Sequence, residues 1–113
     1  MLKILFTQFL MLVFTGLSFA QSNQIMGKVT DMNSGKAMQG ATVQLLLSAD
    51  SVILQTKVSD AQGNFIFNNV PNNSFIVTIS NIDYQQSVSF VTLNNSSKDL
   101  GSIKLSQQGK DLE

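Results

Sequence analysis

Residues 60–84 read DAQGNFIFNNVPNNSFIVTISNIDY, two alternating runs each closed by turn formers. Asp60-Ala61-Gln62-Gly63 is a tight turn with Gly63 where a left-handed backbone is wanted. After it, Phe65, Phe67 and Val70 point to one side. Pro71-Asn72-Asn73-Ser74 turns the chain again, and Phe75, Val77 and Ile79 then alternate with Ile76, Thr78 and Ser80. A period of two with turn residues at both ends specifies β-strands.

The same grammar extends in both directions. Upstream, strands are predicted at 24–30, 42–47 and 52–59, the first followed by the turn cluster Asp31-Met32-Asn33-Ser34-Gly35. Gly40, just ahead of the second strand, reads as a bulge or a close backbone approach. Val43, Leu45 and Leu47 share one face of that strand, and Leu46 adds an apolar residue to the other, so the strand should lie centrally or be covered. Downstream, strands are predicted at 86–93 and 100–105, with Asn94 to Lys98 as a polar loop. In the last of these, Leu100, Ser102 and Lys104 are set against Gly101, Ile103 and Leu105. No segment shows a helical period. Seven short strands spaced by about ten residues specify an all-β fold, a seven-stranded antiparallel Greek-key β-sandwich. On this facing, Leu45→Asp should unfold the domain, while Gln55→Lys or Gln86→Lys should be nearly neutral.

Residues 1–20, MLKILFTQFLMLVFTGLSFA, carry one charge at Lys3, an apolar run and small residues at Ser18 and Ala20. This is the pattern of a secretory signal peptide cleaved after Ala20. The apolar run is interrupted by Thr7 and Gln8 and is too short to span about 30 Å of hydrocarbon. Position 21 is Gln, so no lipidated Cys follows the cleavage point. The expected organisation is therefore a signal peptide at 1–20, one β-sandwich domain at 21–105, and a polar tail or the start of a linker at 106–113. Export without a single Cys leaves the core to hold itself by packing alone. Of the seven Lys residues, Lys3 leaves with the signal, so six basic residues face seven acidic ones. That balance attracts neither nucleic acid nor an anionic membrane.

Gly27-Lys28-Val29-Thr30-Asp31, Gly40-Ala41-Thr42-Val43, Asp60 to Phe67, Val70-Pro71, Phe75 to Ile79 and Asp83-Tyr84, in that order and spacing, resemble the carboxypeptidase regulatory-like domain. The resemblance covers Gln24 to Leu105. It implies a transthyretin-like β-sandwich. In Bacteroidetes-type bacteria it implies the N-terminal extension of TonB-dependent or related outer-membrane β-barrel proteins. Leu100 to Leu105 is similar to the last strand that precedes the TonB-interacting box there. The sequence departs from the family pattern at Ala37, Asn73, Phe75 and Asp83. Asn73 and Asp83 stand where Gly is common, and both residue types tolerate a left-handed backbone.

Chemistry is mostly excluded by composition. There is no His, Cys, Trp or Arg, so zinc and iron sites and a Ser nucleophile with a His base lack their residues. Asp60, Gln62 and Asn64 flank one turn, and without the further carboxylates of a calcium loop they read as hairpin chemistry. Lys28 in the first strand with Asn94 or Asn95 near the last suggests the isopeptide bonds of pilin modules. Such bonds need a buried acid, usually Glu, and the one Glu is Glu113, outside the fold, so a buried Asp would have to serve; Lys28 reads more simply as a solvated strand residue. Of the nine aromatics, four leave with the signal, Phe65, Phe67 and Phe75 belong to the core, and Tyr84 is a corner residue with a hydrogen-bonded hydroxyl. Phe90 is left without an assignment.

No catalytic, cofactor-binding or metal-ligating residue is therefore assigned, no cofactor is expected, and the chain is read as no enzyme. The expected role is a non-catalytic accessory or interaction module of an exported protein. It would sit on the periplasmic face of the outer membrane or in the periplasm, with a protein partner in the cell envelope and contact with the membrane only through a downstream barrel. The alternative is a self-contained periplasmic or surface binding or adhesion module with a carbohydrate or protein ligand.

Overall fold

The computed structural model describes residues 22–108. The signal peptide expected at 1–20 lies outside them. Seven strands follow in order: β1 Asn23–Asp31, β2 Thr42–Leu47, β3 Ile53–Val58, β4 Asn64–Val70, β5 Ser74–Ser80, β6 Ser87–Thr92 and β7 Lys98–Leu105. They form two sheets, β4-β1-β7 and β3-β2-β5-β6. Consecutive strands cross between the sheets at β1–β2, β3–β4, β4–β5 and β6–β7, giving the expected Greek-key sandwich.

The core between the sheets is built from the inward halves of the alternating runs. Val43 and Leu45 from β2, Phe65 and Phe67 from β4, and Phe75, Val77 and Ile79 from β5 are buried with Ile25 and Val29 of β1. β2 is central, flanked by β3 and β5, with Val43 and Leu45 buried in the core and Leu46 on the outer face of the sheet. Two buried polar side chains are fully paired. The Ser59 hydroxyl accepts from Ala41 N at 2.9 Å and donates to Met38 O at 2.7 Å, and Asn23 Nδ2 donates to Val70 O at 3.1 Å and Asn72 Oδ1 at 2.9 Å. Neither group pays the desolvation penalty of an unpaired polar atom.

Several expectations are corrected. β7 runs parallel to β1, from Ile25 opposite Lys98 to Asp31 opposite Leu105, so the sandwich is not wholly antiparallel. Gly101, at φ 73°, forms a bulge where the β1–β7 register shifts between Met26 and Lys28. The extra residue resets the alternation, so that Leu100 packs on the core beside Ile103 and Leu105 rather than opposite to them. Val70 faces the core with Phe65 and Phe67, as expected, and a second bulge brings it there: the register shifts between Asn23 and Ile25, and Asn69 takes φ 57°. Gly40, at φ 86°, has open space where a side chain would stand, so it serves a turn and neither a bulge nor a close approach. Asp83 takes the left-handed backbone, at φ 68°, whereas Asn73 does not; Asn73 Oδ1 instead accepts from Ser74 N at 2.8 Å. Nor does order stop at Leu105. Tyr84 bridges Gln107, Gln85 N donates to Ser106 O at 2.8 Å, and Gln108 N donates to Asp83 O at 2.9 Å. The start of the expected tail is therefore tied to the Tyr84 turn.

Candidate interaction surfaces

On the outer face of the three-stranded sheet lies a groove of about 510 Å³, with Met26, Phe65 and Ile66 among its apolar lining and Lys28, Asp60, Asn64, Asp99 and Ser102 among its polar lining. It exists for two local reasons. The Gly101 bulge opens the β7 side, and Gly27 leaves room for the Phe65 ring, which lies where a Cβ at 27 would stand, 2.7 Å from its tip.

The polar groups of the groove are largely engaged in shaping the backbone. Asp60 Oδ1 accepts from Gln62 N at 2.9 Å and Asn64 N at 2.8 Å, and Asp99 Oδ1 accepts from Gly101 N at 2.9 Å. The Asp60-Gln62-Asn64 group is thus hairpin chemistry, as read from the sequence. Ser102 is the register partner of Lys28, and Lys28 is exposed. The groove offers hydrogen-bonding groups and a small apolar floor.

The pair imagined for an isopeptide bond is not brought together. Lys28 faces water opposite Ser102, seven residues along the chain from Asn95. Asn95 is held elsewhere: its N–H donates to Asn72 Oδ1 at 2.8 Å, and Asn72 Nδ2 donates to Asn95 Oδ1 at 2.7 Å.

Tyr84 is a corner residue as expected, half-buried against the core, with its hydroxyl donating to Asp31 Oδ2. Asp31 Oδ1 also accepts from Asn33 N at 2.8 Å and Ser34 N at 3.0 Å. The Tyr84 hydroxyl, followed by the Ser34 and Asn33 N–H groups, holds the Asp31 carboxyl below its ordinary 3.8. Donation to Asp31 raises Tyr84 above its ordinary 10.0. Sequence reading took Asp31 only as a turn former; its partner is 53 residues away, beyond the reach of local pattern. The groove residues Met26, Asp99 and Ser102 were not singled out either, and the one available signal was a Gly inside a strand.

The family model of the carboxypeptidase regulatory-like domain matches residues 24–106. The chain belongs to this family. A comparison with curated proteins returns no match. Among solved structures, this regulatory-like domain is similar to the group B streptococcus pilus 2b backbone protein, at 12% identity and TM-score 0.60 over 80% of this chain and 43% of that one. It is similar to the shaft pilin SpaA from Lactobacillus rhamnosus GG, at 14% identity and TM-score 0.59 over 79% and 48%. A type II cohesin–X–dockerin complex from Acetivibrio cellulolyticus contains a chain matched at 19% identity and TM-score 0.60 over 74% and 56%. At such identities the likeness concerns the fold alone. The regulatory-like domain spans about half of each of these structures.

Proposed function

We propose that the chain is a non-catalytic, in-line spacer and interaction module of an exported bacterial protein, the N-terminal extension of a TonB-dependent or related outer-membrane barrel. On this reading the leader at 1–20 is removed after Ala20 and the domain stands in the periplasm beside a protein partner of the envelope. The observation that carries the proposal is the parallel pairing of β1 with β7. Parallel terminal strands put the two ends of the domain at opposite ends of the sandwich, about 20–25 Å apart for seven or so residues of strand. A domain so arranged extends a chain in line instead of folding it back. The recurrence of the fold as roughly half of longer pilin chains supports the same reading. The groove at Met26 and Ile66 favours the second reading, a self-contained binding module for a sugar or a protein.

Single-molecule pulling tests the in-line arrangement. Handles at Ser22 and Gln108 load the β1–β7 hydrogen bonds together, in shear. Handles at Asn23 and Val70, adjacent ends of the antiparallel β1–β4 pair, load bonds one at a time. The terminal geometry should unfold at the higher force. Equal or lower force there removes the mechanical basis of the spacer role.

A further inference from the structure

The outer face of the four-stranded sheet carries no charged strand residue. Among the residues of β2, β3, β5 and β6, Lys57 alone is charged, and its register partner is the inward-facing Val43, so it belongs to the rim of the other side. Across this face runs one unbroken row of cross-strand partners. Ile53 pairs with Leu46, Leu46 with Ile76, and Ile76 with Phe90. The row ends on its most exposed members, Ile53 at 52% and Phe90 at 77%, with Val88 at 50% beside it. The next row, Thr56, Gln44, Thr78 and Val88, is uncharged as well. An apolar line with hydroxyl and amide neighbours and no charge is the composition of an interface centre, not of a solvated sheet face.

We propose that this face binds the same face of a second copy of the chain. The charge pattern favours that occupant: a face without charge meets its own copy without like-charge repulsion, and gives a charged partner nothing to pair with. The geometry is self-complementary as well. A two-fold axis lying between the two faces and running along the strands sets the apolar row of one on the apolar row of the other with the faces in full overlap. Sheets pack face to face in this way at about 10 Å, with strands within about 30°. Four strands about 4.8 Å apart and six residues long at about 3.3 Å each give a face of roughly 19 by 20 Å in projection. Its accessible area exceeds that projection because side chains stand out from the pleat. Two such faces therefore reach the roughly 1,000 Å² in total at which specific interfaces begin. The proposal does not depend on where the module is anchored, and it stands or falls separately from the spacer role.

Sedimentation equilibrium from about 1 μM to about 1 mM, the range over which weak interfaces fill, tests it on protein expressed from the complete sequence, so that any processing of the leader takes place. The wild-type chain should pass from monomer to dimer. Phe90→Lys should raise the dissociation constant by at least about tenfold, while Ile82→Lys, at an equally exposed site in the Asn81–Tyr84 turn, should leave it unchanged. Thermal unfolding of Phe90→Lys should match wild type because the ring is mostly in water; Val88→Lys serves in its place if it does not. A wild-type chain that stays monomeric overturns the proposal and leaves the face to a different protein. A dimer indifferent to Phe90→Lys and Val88→Lys overturns it in favour of pairing through a sheet edge.

Discussion

Tyr84 and Asp31 couple the turn before β6 to the end of β1 through one hydrogen bond. A carboxyl whose folded value lies below its unfolded one stabilises the fold above the unfolded value, and that stability is lost as pH falls through the folded value. Tyr84, raised in the fold, contributes fully below about 10 and loses its share at more alkaline pH. Tyr84→Phe should lower the melting temperature at about pH 7, and the gap from wild type should narrow as the pH falls through the lowered Asp31 value and the carboxyl protonates. Melts on both sides of that value check this; a constant gap would assign the effect to packing. Gly63 makes a sharper case. Its φ is 80°, and a Cβ there would sit 2.5 Å from Val29 O, so the residue satisfies a turn and a close approach together. Gly63→Ala should cost about 3 kcal/mol, against about 1 kcal/mol for Gly40→Ala, which is left-handed but uncrowded. Urea midpoints of the two variants provide the comparison. The turn role of Gly63 was legible in DAQG, but the crowding was not, since Val29 is far away in sequence.

Strands were the most legible elements, because a half-buried strand writes its own alternation. Val91 and Leu93 are buried while Val88 and Phe90 are exposed, as the β6 pattern reads. What alternation cannot show is an added residue. The bulge at Gly101 turned Leu100 inward, against the alternation, and the one at Asn69 carries Val70 to the side of Phe65 and Phe67; neither bulge leaves a mark in a period-two count. Strand direction is equally silent: nothing in residues 100–105 distinguishes a parallel from an antiparallel neighbour. The groove beside β7 was missed for the same reason, because it exists only where that bulge meets β1. Within β2 the expectation for Leu45 stands on full burial in a central strand. Leu45→Asp should cost more than about 4 kcal/mol, which removes most of the stability of a domain near the lower end, about 5 kcal/mol, of the usual range. Gln86→Lys should stay within about 0.5 kcal/mol. Gln55→Lys is no longer expected to be neutral, since Gln55 Nε2 donates to Asn68 O at 2.7 Å, across from β3 to β4; it should cost about 1 kcal/mol. Circular dichroism melts of the three variants rank these effects, and a harmless Leu45→Asp would mean the facing is wrong.

At the scale of the whole molecule, two sheets with one core and no disulfide divide their surfaces by chemistry. Strand charges sit on the β4-β1-β7 side and at the rims, and the β3-β2-β5-β6 side is uncharged. The first and last strands lie parallel, so the domain passes a chain through itself from end to end. On the proposed function, the domain is one part of a larger exported envelope protein. The direct test is an immunoblot of fractionated source cells with an antibody to residues 21–105, reading size and compartment together. The account predicts a band far larger than 113 residues can give, in the outer-membrane fraction. A soluble band of the chain's own size contradicts it, and if that band is periplasmic the domain is a self-contained binding module.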